Sequence, residues 1–243
     1  MSASPDSLES RLRATQARVA AAAARAGRAA GEIALVGVAK QVAAPEIARA
    51  IAAGLADVGE NYLSEMRAKL PELSAALTRE RIAPPRWHFI GRLQRNKAKQ
   101  VAEVFDSIHS LDRPELCDAL GRHASAAGRT LDVLVQVNLV DEPQKGGAAP
   151  GAVAALLRAC RQWPALRAVG LMTIPPADPD PERSRPHFAA LRALRDELSA
   201  TPEGAGLHEL SMGMSADFEV AIEEGATIIR VGTAIFGARR PNG

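Results

Sequence analysis

Short apolar runs alternate with stretches of helical periodicity along nearly the whole chain. The runs occupy 33–39, 57–59, 87–90, 107–111, 131–139, 168–174, 209–212 and 227–232 and predict eight strands. Several are apolar almost without interruption, the clearest being Leu131-Asp132-Val133-Leu134-Val135-Gln136-Val137. Strands covered on both faces read this way, whereas a half-solvated strand alternates. Helix-compatible segments at 45–53, 61–70, 94–103, 113–127, 150–161, 182–199 and 216–224 fall between the runs. Pro45, Pro114 and Pro150 sit near helix starts, and Gly54, Gly121 or Gly128 near stops, the usual asymmetry of these two residues.

Strand then helix, repeated eight times, predicts an α/β fold: a single (β/α)8 barrel domain of the TIM type spanning 1–243. Asp6-Ser7-Leu8-Glu9 has capping-box spacing, and Leu8, Leu12, Thr15 and Val19 share one helical face. Residues 1–31 are therefore expected to hold an amphipathic helix that packs on the barrel. Only a few residues, 233–243, follow the last predicted strand, so this helix is expected to close the side that an eighth outer helix would cover. A doubly wound open sheet is the rival. It calls for a glycine-rich first turn, and Val38-Ala39-Lys40-Gln41-Val42 contains neither GxGxxG nor a P-loop.

Composition narrows the function classes. The 243 residues are 47% hydrophobic and 24% charged, as in an ordinary globular protein. Thirty cations against 28 acids leave a net charge of +2, without the basic excess of a nucleic-acid or membrane-surface binder. No apolar stretch approaches the ~20 residues of a membrane span. A cytoplasmic monomer without nucleic-acid or membrane partners is expected. Cys117 and Cys160, far apart in sequence, read as small buried hydrophobes in a reducing compartment. No HExxH or paired ligand spacing is present, so no metal is expected.

In a parallel barrel the carboxyl ends of the strands converge on the site. Those ends carry Lys40, Asn61, His88 with Gly91, His109, Asn138, Met172-Thr173, Ser211 to Ser215, and Arg230 with Gly232-Thr233. The loops after strands seven and eight, Ser211-Met212-Gly213-Met214-Ser215 and Gly232-Thr233-Ala234, have the small and hydroxyl residues that suit a phosphate cradle. Gly and Ser after a strand are also ordinary turn residues. Lysine is scarce, with five against 25 arginines. Lys40 follows an apolar run directly, either as a strand cap reaching solvent or as a desolvated, nucleophilic amine, a role closed to arginine. Arg92, Arg95, Lys97 and Lys99 form a basic run over one helix, read as a solvated face.

Several blocks together closely resemble the pyridoxal phosphate homeostasis protein family. They are Val38-Ala39-Lys40, Val58-Gly59-Glu60-Asn61-Tyr62, Trp87-His88-Phe89-Ile90-Gly91-Arg92-Leu93-Gln94-Arg95-Asn96-Lys97, His109-Ser110-Leu111-Asp112, Gly170-Leu171-Met172-Thr173-Ile174, Leu210-Ser211-Met212-Gly213-Met214-Ser215-Ala216-Asp217-Phe218 and Arg230-Val231-Gly232-Thr233-Ala234-Ile235-Phe236-Gly237. The resemblance runs from about residue 32 to residue 239. It implies a stand-alone barrel of the alanine racemase N-terminal kind that binds pyridoxal 5′-phosphate (PLP). By the same resemblance Lys40 forms the Schiff base and Arg230 meets the pyridine nitrogen. Gly232 and Thr233, with Ser215 and Ser211, hold the phosphate; Asn61 lines the reactive side, and His88 and Met172 shape the pocket floor. Two positions depart from the family: Ala39 and Gln41 flank the lysine where Ser and Thr are common, and Lys145-Gly146-Gly147 replaces Lys-Ser-Gly.

Three functions follow, in order of preference. A PLP carrier in vitamin B6 homeostasis would surrender the cofactor to apo-enzymes or free amino acids with little turnover. An arginine at the ring nitrogen weakens the electron sink that Cα chemistry needs. No second domain to supply a tyrosine base is expected, and the one tyrosine of the sequence, Tyr62, at a helix start, is read as poorly placed for that role. The alternatives are a PLP-dependent amino-acid racemase using Lys40 as one base, and a Schiff-base aldolase or other phosphate-binding barrel without PLP.

Overall fold

A computed structural model describes residues 7–140 and 146–238; Asp6 of the capping signal and Lys145 lie outside them. Eight parallel strands close into a barrel in sequential order. They are β1 (Ala34–Val38), β2 (Asp57–Glu60), β3 (Arg86–Phe89), β4 (Ser107–Leu111), β5 (Leu131–Gln136), β6 (Leu166–Met172), β7 (Glu209–Ser211) and β8 (Ile228–Val231). The expected (β/α)8 fold is the one observed. Every residue of β4 and β5 is buried, the reason these strands read as continuous apolar runs. Closure rests on β1 pairing β8, with Val36 opposite Arg230 and Gly37 opposite Val231.

Around the barrel lie α1 (Leu8–Arg25), α2 (Ala44–Ala52), α3 (Leu63–Glu80), α4 (Ala98–Val104), α5 (Pro114–Ala126), α6 (Val153–Arg161), α7 (Arg185–Ser199), α8 (Phe218–Glu223) and α9 (Thr233–Phe236). Most of the core sits between helices and strands, with Phe105, Phe188 and Phe218 as its largest members. Within the lumen, Val36, Leu134, Met172 and Ile228 form a small separate cluster. After β8 only the one-turn α9 follows among the described residues, and α1 covers that side. Its Leu8, Leu12, Thr15, Val19, Ala22 and Ala23 are buried, and it packs on α8, α9 and α2. Arg11 Nε donates to the Ile235 carbonyl (2.9 Å) and Arg28 to that of Ala226 (2.7 Å), while Arg18 pairs with Glu219 (2.8 Å). Ser7 caps the helix by accepting from the Ser10 amide at 3.1 Å.

Several boundaries differ from the sequence reading. The helix expected at 61–70 continues to Glu80 with Pro71 inside it. Leu73 and Leu77 extend the buried face begun by Leu63 and Met66, and Pro71 lies on the exposed side, where a missing backbone bond is tolerated because water serves the freed carbonyl. Gly121 is no helix stop. It sits inside α5, where a Cβ would stand 2.2 Å from Trp163 Cγ. The segments expected at 94–103, 150–161 and 182–199 each open with a 3-10 turn, at Arg95–Lys97, Pro150–Ala152 and Pro181–Ser184. Cys117 and Cys160, distant in sequence, meet between α5 and α6 as buried free thiols with sulfurs 3.5 Å apart. No described helix is long and apolar enough to cross a membrane.

The close approach of β6 to β7 depends on Gly170, since a Cβ there would lie 2.1 Å from the Glu209 carbonyl oxygen. That contact is backbone and cannot swing aside. Gly170→Ala is therefore expected to cost about 1–3 kcal/mol of stability, read as a lowered midpoint in thermal or urea unfolding. An unchanged midpoint would show that the two strands can part freely.

Candidate functional site

Lys40 stands two residues beyond β1, in a turn held from the neighbouring helix. Lys69 Nζ, on α3, donates to the Ala39 carbonyl (2.8 Å), Glu60 Oε1 (2.8 Å) and Glu65 Oε2 (3.3 Å). Gln41 takes a left-handed backbone conformation (φ 60°), and its amide donates to Glu65 Oε2 at 2.8 Å. The turn is thus stapled on both sides of Lys40. The Lys40 ammonium lies 5.1 Å from the ring centroid of Tyr62, within cation–π reach. Burial raises the pKa of Glu60, opposed by the hydrogen bond and charge of Lys69. Glu60 Oε2 and Asn61 Oδ1 are buried with no hydrogen-bond partner among the described residues.

Beside this turn, β8 carries Arg230 into the barrel interior. The side chain is only 5% exposed. Its Nη1 donates to Ser211 Oγ (2.5 Å) and its Nη2 to the Thr173 carbonyl (3.0 Å). Burial lowers its pKa to about 10, and the Asp217 charge opposes that. From Ser211 a line of contacts continues: Oγ to His109 Nδ1 at 2.8 Å, His109 Nε2 to His88 Nδ1 at 2.9 Å, and His88 Nε2 to Asp57 Oδ1 at 2.8 Å. Strands β4 and β7 are not neighbours, so the His109–Ser211 bond spans the lumen. His109 has its pKa held well below the ordinary imidazole value, by burial first and then by His88, Arg230 and Arg86.

The loops after β7 and β8 are joined to each other. Ser215 Oγ accepts from the Gly232 amide at 3.2 Å. Gly213 has φ +92°, and a Cβ there would reach within 2.5 Å of the Ala221 Cβ, so the β7 loop depends on glycine. Asp217 fixes the same loop by accepting from the Met214 amide (2.7 Å) and the Ser184 hydroxyl (2.9 Å). Gly232 caps α9 and Thr233 begins it.

Of the residues singled out from sequence, Lys40, Asn61, Ser215, Arg230, Gly232 and Thr233 come from β1, β2, β7 and β8 or the loops that follow them. The structure brings these to one mouth. Met172 lies in the lumen cluster, fully buried. His88 is buried and faces His109 and Asp57, the first residue of β2, rather than the mouth. The Ser211 hydroxyl is engaged by Arg230 and His109. Lys69, Glu60, Glu65, Asp217, Asp57 and the contacts of His109 carry no role in the sequence reading. Only Lys69 carried a usable signal, being one of five lysines and four residues after Glu65 on a helix. The basic run splits between a 3-10 turn and α4; Arg92, Arg95 and Lys97 line a cavity of about 1170 Å³ beside Asn61 and Tyr62.

A neutral His109 has a signature in stability. The folded pKa is depressed, so its contribution is fully present above the ordinary imidazole value and is lost as pH falls below it. The loss is about 1.4 kcal/mol per pH unit for one proton. His109→Gln is expected to flatten the fall in unfolding free energy between pH 6.5 and 5 by that slope; a slope equal to that of the unaltered protein would mean that His109 titrates freely when folded.

Comparison with known proteins agrees with this architecture. Residues 10–240 match the family described as alanine racemase, N-terminal domain. The pyridoxal phosphate homeostasis protein of Pseudomonas aeruginosa is 44% identical over 225 residues, covering 92% of each chain. That of Aquifex aeolicus is 44% identical over 223 residues, covering 92% of this chain and 94% of its own. Among solved structures, PipY of Synechococcus elongatus with PLP bound has a TM-score of 0.82 at 34% identity, covering 95% of this chain and all of that one. An alanine racemase of Clostridium difficile, 13% identical with a TM-score of 0.68, shares the fold over 57% of its length. The chain belongs to the pyridoxal phosphate homeostasis protein family, within the larger group built on the alanine racemase N-terminal barrel.

Proposed function

We propose that this barrel binds PLP at its C-terminal mouth, anchored covalently to Lys40, and acts as a carrier in vitamin B6 homeostasis with little turnover of its own. The observation that carries the reading is the pairing of β1 with β8. It sets a lysine turn and a buried arginine side by side, at the mouth where the joined β7 and β8 loops also lie. Homeostasis proteins at 44% identity and the PLP-bound PipY structure support it.

The residues present fit the group. PLP supplies an aldehyde that condenses reversibly with amines. Lys40 is the one lysine in the turn after β1, and Lys69, the nearest other, is consumed by Glu60, Glu65 and the Ala39 carbonyl. The cradle of Ser215, Gly232 and Thr233 suits a phosphate, because small residues allow close approach and the first amides of a helix lack intrahelical partners. Asn61 Oδ1 is a buried acceptor awaiting a donor, as a ligand-facing group should be. Met172 closes the lumen beneath and excludes water.

Arg230 favours carrying over catalysis in this reading. A guanidinium is a donor only, so a ring nitrogen meeting it must accept and stays unprotonated. That weakens withdrawal of electrons from a substrate carbon. Tyr62, the chain's single tyrosine, turns its ring toward the Lys40 ammonium, a placement nearer Lys40 than its position in sequence suggests. Release to apo-enzymes or free amino acids then needs only an incoming amine to displace that of Lys40.

Two measurements test the reading. The purified protein with PLP is expected to show a visible absorbance band and retain PLP through gel filtration, both lost in Lys40→Ala. It is also expected to reactivate an apo PLP enzyme while leaving D- and L-alanine unchanged. Robust interconversion of alanine or another amino acid, abolished by Lys40→Ala, would overturn the carrier reading in favour of a racemase.

A further inference from the structure

Three members of the basic run, Arg92, Arg95 and Lys97, line the cavity of about 1170 Å³ at the same end of the barrel as Lys40. Its wall is built from segments that follow three successive strands. Asn61 and Tyr62 follow β2, the residues from Arg92 to Lys97 follow β3, and Arg113 follows β4. Arg67 joins them from α3. Tyr62 belongs both to this wall and to the surroundings of Lys40, whose ammonium lies 5.1 Å from its ring centroid. The cavity therefore lies beside the amine that would hold the cofactor.

Its charge is one-sided. Among the described residues the wall holds five cations and no acidic side chain. Arg113 is matched by Asp112 at 2.5 Å and also donates to the Leu93 carbonyl at 2.9 Å. The side chains of Arg67, Arg92, Arg95 and Lys97 make no ion pair or hydrogen bond among the described residues. Elsewhere exposed arginines find acids: Arg18 pairs with Glu219 (2.8 Å), Arg25 with Glu223 (2.9 Å) and Arg49 with Glu9 (2.7 Å). Four unmatched cations around one concavity focus a positive potential that draws in anions. Asn61 and Gln100, in the same wall, each hold a buried amide oxygen without a partner among the described residues. Donors for carboxylates and acceptors for an ammonium thus share one cavity.

We propose that this cavity admits the amine that takes PLP from Lys40, and that it selects acidic amino acids, whose carboxylates meet the unmatched cations of α3 and of the segment after β3. The inference rests on the PLP reading and deepens it by naming the acceptor class. The exchange balances. The bond between the cofactor's aldehyde carbon and Lys40 Nζ breaks as the bond to the incoming nitrogen forms. The proton that the incoming ammonium loses ends on the Lys40 amine, so no further reagent is consumed. At neutral pH glutamate carries a net charge of about −1, glutamine none and lysine about +1. Glutamate and glutamine are nearly the same shape, so the wall separates them by charge. Arginine suits this task because its planar fork meets a carboxylate through two parallel hydrogen bonds. Arg67, Arg92, Arg95 and Lys97 are exposed, so the preference weakens as salt rises.

The test incubates the PLP-loaded protein with glutamate or glutamine at low ionic strength and follows the cofactor that passes an ultrafiltration membrane. Release is expected about tenfold faster with glutamate, a difference of one charge near several cations. Replacing both Arg95→Gln and Lys97→Gln is expected to bring that ratio close to one. Both side chains are exposed, so the barrel core is untouched. Equal release by the two amino acids from the unaltered protein overturns the proposal, and so does a ratio that the double variant leaves unchanged. A second arm uses calorimetry on the protein without PLP. Glutamate is expected to bind more tightly than glutamine, and the double variant to lose the difference; equal binding, or none, overturns the site. If the protein retains no PLP before any amine is added, the proposed function falls instead, and the calorimetric arm decides whether the cavity takes acidic amino acids.

Discussion

A permanent positive charge inside the barrel is the constraint on which the site depends. Burial of a guanidinium is unfavourable unless its N–H groups meet acceptors. Here they meet a strand-end carbonyl and a serine hydroxyl. The serine in turn commits a histidine on the opposite wall, which commits a second. A lumen that side chains alone must fill is thereby divided between one polar line and the apolar cluster of Val36, Leu134, Met172 and Ile228. Removing a single member leaves a buried polar group unpaired, a loss of about 1–3 kcal/mol or more. Geometry and function are tied at this point, since the groups that orient Arg230 also hold the barrel together.

On the neighbouring strand the second cation of the site has a different environment. Lys40 is half-buried, beside a tyrosine ring, and the acids nearest its turn are already engaged by Lys69. Two cations, from β8 and from the turn after β1, repel unless something anionic lies between or beside them. An anionic guest with an electrophilic carbon relieves both conditions, and PLP is such a molecule. The rigid parts serve this arrangement. Strand pairing sets the lysine turn beside the arginine, α3 fixes that turn, and the Ser215–Gly232 bond ties the loops after β7 and β8 to each other.

The features legible in the sequence were those with a local cause. Strands covered on both faces gave continuous apolar runs, so β5 stood out. Lys40 stood out because arginine carries nearly all the positive charge, and the mouth loops because a parallel barrel gathers its strand ends. What escaped had non-local causes. Nothing near His109 in sequence points to Ser211, since the two meet only across a closed barrel. Pro71 reads as a stop, and only the buried positions of Leu73 and Leu77 carry α3 past it. Gly121 looks like a terminator until Trp163 is seen against it. The Ser211 hydroxyl resembled a phosphate ligand because its loop is short and small, yet its neighbours are a guanidinium and an imidazole.

The most direct measurement reduces the PLP-loaded protein with borohydride and maps the modified peptide by mass spectrometry. The structure predicts a single phosphopyridoxyl group, on the peptide containing Lys40. Modification of Lys69 or Lys97 instead, or no stable adduct on any lysine, would contradict the assignment of the mouth between β1 and β8 as the cofactor site.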